Sequence, residues 1–215
     1  MQIQLKNIIP IPLSDRASLT TSKIWGKEIV FTTPQQVKIK APSGTGKTTL
    51  IHSMYGLRND YRGTISYNNV NINTISPTEI AAFRQHKISV IFQDLQLFTQ
   101  LTALENIELK RILQKPYYEQ AKIGIMAEQL GVSHILNNKL ATCSYGERQR
   151  IAIIRALIQP FEILLMDEPF SHIDHANTQK AVALIGAECI QRKAGFILCD
   201  LDDDTHFTYD AYYTL

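Results

Sequence analysis

The sequence predicts an α/β fold, a mainly parallel sheet wound with helices, and three observations point to it. Short apolar runs alternate along the chain with longer segments of helical period. A glycine-rich turn joins one such run to a helical segment. A further run, Ile163-Leu164-Leu165-Met166, is apolar without interruption, as expected of a strand covered on both faces. In order, strands are expected at 3–9, 28–32, 36–40, 63–67, 87–92, 162–166, 195–200 and 209–215, and helices at 47–55, 77–83, 103–113, 117–130, 146–158 and 175–193. Five of the strands fall within the first 92 residues and the stretch from about 100 to 145 is helical, so the expected organisation is a single domain. Its core covers about 1–92 and 146–215, and its helical insert about 93–145.

Composition sets limits around this. Of the 215 residues 45% are hydrophobic, 20% charged and 8% aromatic, which excludes a disordered or coiled-coil chain. A chain of this length buries about 70% of its unfolded surface and needs neither disulfides nor a structural metal. The 22 basic and 20 acidic side chains leave a net charge of +2, too small for a dedicated nucleic-acid binder, so no nucleic-acid partner is expected. Cys143, Cys189 and Cys199 are odd in number and far apart, which suits small buried residues in a reducing compartment. Met1-Gln2-Ile3-Gln4-Leu5-Lys6 shows no secretion leader, and no apolar stretch approaches the roughly 18 residues of a membrane span. A cytoplasmic protein is expected.

The turn between the strand ending at Lys40 and the next helix reads Ala41-Pro42-Ser43-Gly44-Thr45-Gly46-Lys47-Thr48-Thr49-Leu50. Glycines let successive N–H groups and the helix N-terminus converge on phosphate oxygens. Lys47 then reaches the β- and γ-phosphates and the Thr48 hydroxyl faces Mg2+. Ser43, Gly44, Thr45, Gly46, Lys47, Thr48 and Thr49 are therefore the expected nucleotide cradle. Ala41 stands at the first glycine of the G-x-x-x-x-G-K-[ST] pattern, where a methyl group fits if its backbone angles are ordinary. The strand at 162–166 delivers Asp167-Glu168-Pro169 to its carboxyl end, the edge at which open α/β sheets bind ligands. An aspartate there suits the shell of Mg2+, and a glutamate one residue on can orient or deprotonate an attacking water.

These residues, together with Cys143-Ser144-Tyr145-Gly146-Glu147-Arg148-Gln149-Arg150, resemble the ATPase subunit of an ATP-binding cassette (ABC) transporter. The octapeptide is similar to the family signature L-S-G-G-Q followed by R-Q-R, opens a helix, and precedes the acidic strand end by about 20 residues. Ser144 and Gly146 match it, whereas Cys143, Tyr145 and Glu147 depart. The resemblance implies a P-loop core, an antiparallel β subdomain and a helical insert. It also implies two ATP molecules sandwiched in a head-to-tail dimer, a homodimer or a heterodimer with another such subunit, where Ser144 and Gly146 of one copy cover the γ-phosphate held by the other. Ile91-Phe92-Gln93 resembles the Q-loop, making Gln93 a metal and water ligand that senses the transporter partner. Ser171-His172-Ile173-Asp174 resembles the D-loop, making Asp174 the residue that reaches across the dimer. The stretch from Leu97 to Ile107 is similar to the subgroup associated with lipoprotein release and macrolide efflux. The implied cofactors are ATP and Mg2+, and the implied partner is a separate membrane permease that holds the chain peripherally at the inner face of the cell membrane.

Two departures stand out. Counting nine residues back from Asp210, which matches the aspartate opening the family's last strand, places Leu201 where the family has a switch histidine; His206 lies five residues further on. The surrounding Asp200-Leu201-Asp202-Asp203-Asp204 would repel a triphosphate unless solvated or bound to a cation, and a solvated loop is expected. No aromatic lies between Ala17 and Ser22, where the family often stacks adenine, leaving Trp25 as the nearest candidate. His52, His86, His134, His172 and His175 show no metal-site spacing. Three readings follow: a transport ATPase with Glu168 as general base, a weak or inactive nucleotide switch given Leu201, Tyr145 and Ala41, and a small P-loop kinase, which the signature segment disfavours.

Overall fold

A computed structural model describes residues 1–14, 18–203 and 205–215, apart from the side chains of Ser18 and Thr20. In chain order its elements are β1 (Gln2–Pro10), α1 (Ser18–Thr21), β2 (Glu28–Thr32), β3 (Gln36–Lys40), α2 (Lys47–Met54), β4 (Tyr61–Tyr67), β5 (Val70–Asn71) and α3 (Pro77–His86). They continue with β6 (Ile88–Ile91), α4 (Ala103–Ile112), α5 (Ala121–Gln129), α6 (Tyr145–Ile158), β7 (Ile163–Asp167), α7 (His175–Arg192), β8 (Gly195–Asp200) and β9 (Ala211–Thr214), with short 3-10 turns between.

Two sheets form. The strands β2-β1-β4-β5 make an antiparallel sheet, and β6-β7-β8-β3-β9 a parallel one. Alternation along the parallel strands divides the core in two. Leu164, Met166, Phe196 and Leu198 face a cluster shared with α4, α5, α6 and α7. Ile163, Leu165, Ile197 and Cys199 face one shared with α2 and the antiparallel sheet. The uninterrupted apolar run of β7 is thus explained by burial on both faces. All three cysteines are buried.

Among the described residues three helices begin with a reciprocal cap: Ser76 with Glu79 on α3, Thr102 with Glu105 on α4, and Ser144 with Glu147 on α6. Each cap satisfies two otherwise orphaned N–H donors and fixes where its helix starts. The helix expected at 117–130 begins only at Ala121, because Tyr117 and Tyr118 turn their rings against one another, 4.7 Å apart, and against Arg192. β5 was not expected: two residues give no period, although Asn68 and Asn69, at φ 48° and 68°, make the left-handed turn that pairs it with β4.

Candidate active site

The carboxyl ends of β3, β6 and β7 share one edge of the parallel sheet, and each delivers part of the site. After β3 the chain turns through Gly44 and Gly46, at φ 78° and 104°, into α2. A side chain at Gly46 would also meet Leu13 Cδ1 at 2.6 Å, so only glycine fits there. Ala41 has no left-handed angle; it is buried, its N–H donates to the Asp200 carbonyl at 2.9 Å, and its own carbonyl receives Lys47 Nζ at 2.9 Å. Trp25 is 2% exposed and its indole N–H donates to the Thr45 carbonyl at 3.1 Å. The tryptophan therefore braces the loop from below and offers no free face to a base. Ala17 and the side chains of Ser18 and Thr20, in the window considered for adenine, lie outside the described residues.

Five predicted residues from these three strand ends form one connected set. The Thr48 hydroxyl donates to Asp167 Oδ2 at 2.7 Å and lies 3.3 Å from Gln93 Oε1. Gln93 Nε2 donates to Glu168 Oε2 at 3.2 Å, and Glu168 Oε1 is ion-paired with Lys47 Nζ at 3.0 Å. A cavity of about 290 Å3 opens above them, bordered by Leu13, Ser43, Gly44, Thr49, Gln93 and Glu168. Burial pushes the Asp167 carboxyl up to about 6, against the Thr48 hydrogen bond that lowers it. Asp167 Oδ1 is buried with no hydrogen-bond partner. Glu168 adopts φ 47°, a strained angle for a side-chain-bearing residue. It is held there by its N–H on the Cys199 carbonyl at 2.9 Å and by Gln149 Nε2 donating to its carbonyl at 3.2 Å.

Ser144, Gly146 and Asp174 stand apart from that cavity, on the two helix starts beside it. Ser144 Oγ accepts the Glu147 N–H at 3.3 Å, while Glu147 accepts the Ser144 N–H at 2.8 Å, which holds the Glu147 carboxyl below its ordinary range. A side chain at Gly146 would meet the His172 carbonyl at 2.8 Å, so the glycine lets the loop before α7 close onto α6. Asp174 caps α7 by accepting the Asn177 N–H at 2.9 Å, and that bond lowers its pKa. Gln149 links the pieces: its amide also accepts the His172 N–H at 3.1 Å. Its role was not read from the sequence, although the R-Q-R triplet contains it.

The acidic segment after β8 is exposed at residues 201–203, as expected of a solvated loop, and two of its acids also meet lysines. Lys40 pairs with Asp203, and the fully buried Lys38 lies 3.9 Å from Asp200, so β3 supplies counter-charges for two of the acids. Asp204 lies outside the described residues. Leu201 is 39% exposed. His206 rests edge-on against Phe170, ring centroids 5.3 Å apart, beside a separate cavity it shares with Ser171, His175 and Asp202.

The profile of a family described as ABC transporter matches residues 30–171. The thiamine import ATP-binding protein ThiQ of Escherichia coli (strain K12) is 32% identical over 166 residues, covering 76% of this chain and 69% of that protein. The lipoprotein-releasing system ATP-binding protein LolD of Legionella pneumophila (strain Lens) is 34% identical over 168 residues, covering 77% and 74%. Among solved structures, the dimeric structure of MJ0796, a bacterial ABC transporter cassette, shares the fold at a TM-score of 0.84 and 24% identity, covering 99% of this chain and 94% of that one. A post-hydrolysis dimer of MJ0796 bound to ADP and Pi aligns at a TM-score of 0.76 and 25% identity, covering 93% and 88%.

Proposed function

The chain belongs to the ABC transporter family as an ATP-binding, ATP-hydrolysing subunit, and we propose that its reaction is carried by Lys47, Thr48, Gln93, Asp167 and Glu168 of one copy with Ser144, Gly146 and Asp174 of a second. The observation that carries this reading is the connected set around Lys47 and Glu168, with its orphaned Asp167 oxygen.

Lys47 neutralises Glu168 through their ion pair. An entering triphosphate offers Lys47 a stronger anion, so the ammonium moves to the β- and γ-oxygens while the N–H groups of residues 43–49 close on the phosphates. Glu168 is thereby released to accept the proton of the attacking water, with the Gln93 amide holding its other oxygen. The Thr48 hydroxyl, the Gln93 amide oxygen and the Asp167 carboxylate are hard oxygen donors, and the unpartnered Asp167 Oδ1 leaves a lone pair for Mg2+. The chemistry Mg2+ would supply there is positive charge to offset the negative charge developing on the leaving group.

The helix start at Ser144 and Gly146 presents N–H groups and a positive dipole end suited to the γ-phosphate held by a second subunit, identical or related, and Asp174 reaches across the same joint. Residues 1–92 and 146–215 are read as the core and 93–145 as the insert. Among the described residues no helix is long and apolar enough to cross a membrane. A separate permease is proposed to hold the chain at the inner face of the cell membrane, on the likeness to transport-system ATP-binding proteins, with the thiamine-import and lipoprotein-releasing subunits similar to a comparable degree. Leu201 supports a second reading, a slow nucleotide switch, since leucine neither donates a hydrogen bond nor carries a proton.

Steady-state phosphate release separates the two. The wild type turns over MgATP, and Glu168→Gln lowers the rate by about 10²- to 10⁴-fold while nucleotide binding persists. Equal, near-zero release by both proteins refutes the transport ATPase and leaves the switch.

A further inference from the structure

The segment that carries Gln93 is held in an unusual backbone. Leu95 and Gln96 both adopt left-handed angles, φ 61° and 48°, which a side-chain-bearing residue keeps only where its surroundings hold it. Besides the local bonds from the Leu95 N–H to the Phe92 carbonyl and from the Gln96 N–H to the Asp94 carbonyl, the segment is held from α6. At its first turn the Tyr145 hydroxyl donates to the Gln93 carbonyl at 3.0 Å. Near its last turn the Arg155 guanidinium donates to the carbonyls of Leu95 and Gln96. The Tyr145 ring also packs against the His172 ring, centroids 4.2 Å apart, on the loop whose backbone presses on Gly146. Tyr145 occupies a position where the family signature has glycine, which has no side chain to make these contacts.

We propose that Tyr145 is a positioning residue for Gln93: with Arg155 it pins residues 93–96 to α6, so that the Gln93 carboxamide stays between Thr48 and Glu168. Without the tie, the left-handed pair relaxes toward ordinary backbone angles and carries Gln93 away from the two groups it touches. The loop, the start of α6 and His172 therefore move as one piece. This rests on the reading above, in which Gln93 helps hold Mg2+ and orient Glu168.

The test is Tyr145→Phe, which keeps the ring on His172 and removes only the hydroxyl; Tyr145 is 38% exposed, so folding is preserved. Hydrogen exchange of the metal-free protein should speed up about fivefold in peptides covering 93–98, the worth of one hydrogen bond, and stay unchanged in α7. In phosphate release, the Mg2+ concentration for half-saturation should rise about fivefold, with the half-saturating ATP concentration at excess Mg2+ unaltered. Gln93→Ala is run alongside. If it shifts the Mg2+ dependence and Tyr145→Phe does not, the positioning role is refuted and the site reading stands. If Gln93→Ala leaves the Mg2+ dependence where it was, the site reading fails and this inference with it. Faster exchange at 93–98 with wild-type Mg2+ dependence also overturns it, because the tie then holds the loop without positioning Gln93.

Discussion

Two carboxylates in this molecule are almost equally buried and treated in opposite ways. Glu188, on α7, is 2% exposed: Oε1 meets Lys122 Nζ at 3.0 Å, and Oε2 accepts from the Tyr118 hydroxyl at 2.8 Å and from Arg192 Nε and Nη2 at 3.2 and 2.8 Å. Arg192 in turn donates to the carbonyls of Leu157 and Gln159 and lies over the rings of Tyr117 and Phe161, 4.4 Å from each centroid. Asp167 is 1% exposed, has a single hydroxyl partner, and keeps one oxygen empty-handed. Burial without full satisfaction costs free energy, and the raised Asp167 pKa is its trace. A satisfied buried charge acts as a joint, here fastening residues 117–122 to the ends of α6 and α7. An unsatisfied one at a strand end is where a ligand is proposed to be held.

Breaking the joint should have the largest effect. Arg192→Met leaves Glu188 buried with too few donors and should cost about 3–5 kcal/mol, read as a lower urea midpoint; a loss below about 1 kcal/mol would show that the cluster is not a joint. Asp167→Asn should move stability the other way. Its folded pKa is raised, so the native state binds more protons than the unfolded one between about pH 4 and 6, and stability falls as pH rises through that window. At pH 7 the ionised aspartate is a standing cost that Asn removes, for a gain of about 2 kcal/mol or about 4 °C in Tm without ligand. That gain should vanish below about pH 4, and a Tm that drops at pH 7 would mean Asp167 is as well satisfied as Glu188. The smallest effect is expected of Ser144→Ala, which removes the α6 cap and lowers Tm by an amount corresponding to about 1 kcal/mol; no change would show that Glu147 and water replace the serine at no cost.

Several strands were legible because their cause is local. β2, β3 and β8 begin and end where their apolar runs do, and the turn into α2 announces itself through Gly44, Gly46 and Lys47. Thr48 and Asp167 were both readable as Mg2+ ligands, from the phosphate loop and from the acidic strand end, whereas Gln93 joined them only through the family resemblance. What stayed hidden depends on tertiary contact. Tyr117 and Tyr118 fit a helical period, yet stacking around Arg192 keeps them out of α5. The period of β3 places Lys38 and Lys40 on one face, but nothing in it reveals that the face meets Asp200 and Asp203. Trp25, the nearest aromatic to the adenine window but beside a strand, where tryptophan is more often core, is buried as the floor of the phosphate loop.

The set around Lys47 and Glu168 is proposed to hold MgATP for a second subunit's Ser144 and Gly146 to cover. Light scattering on Glu168→Gln tests it most directly. With saturating MgATP the molar mass should double from the 24.4 kDa of the single chain, and return to it when Mg2+ is chelated. A protein that binds the nucleotide and stays at 24.4 kDa would contradict the account.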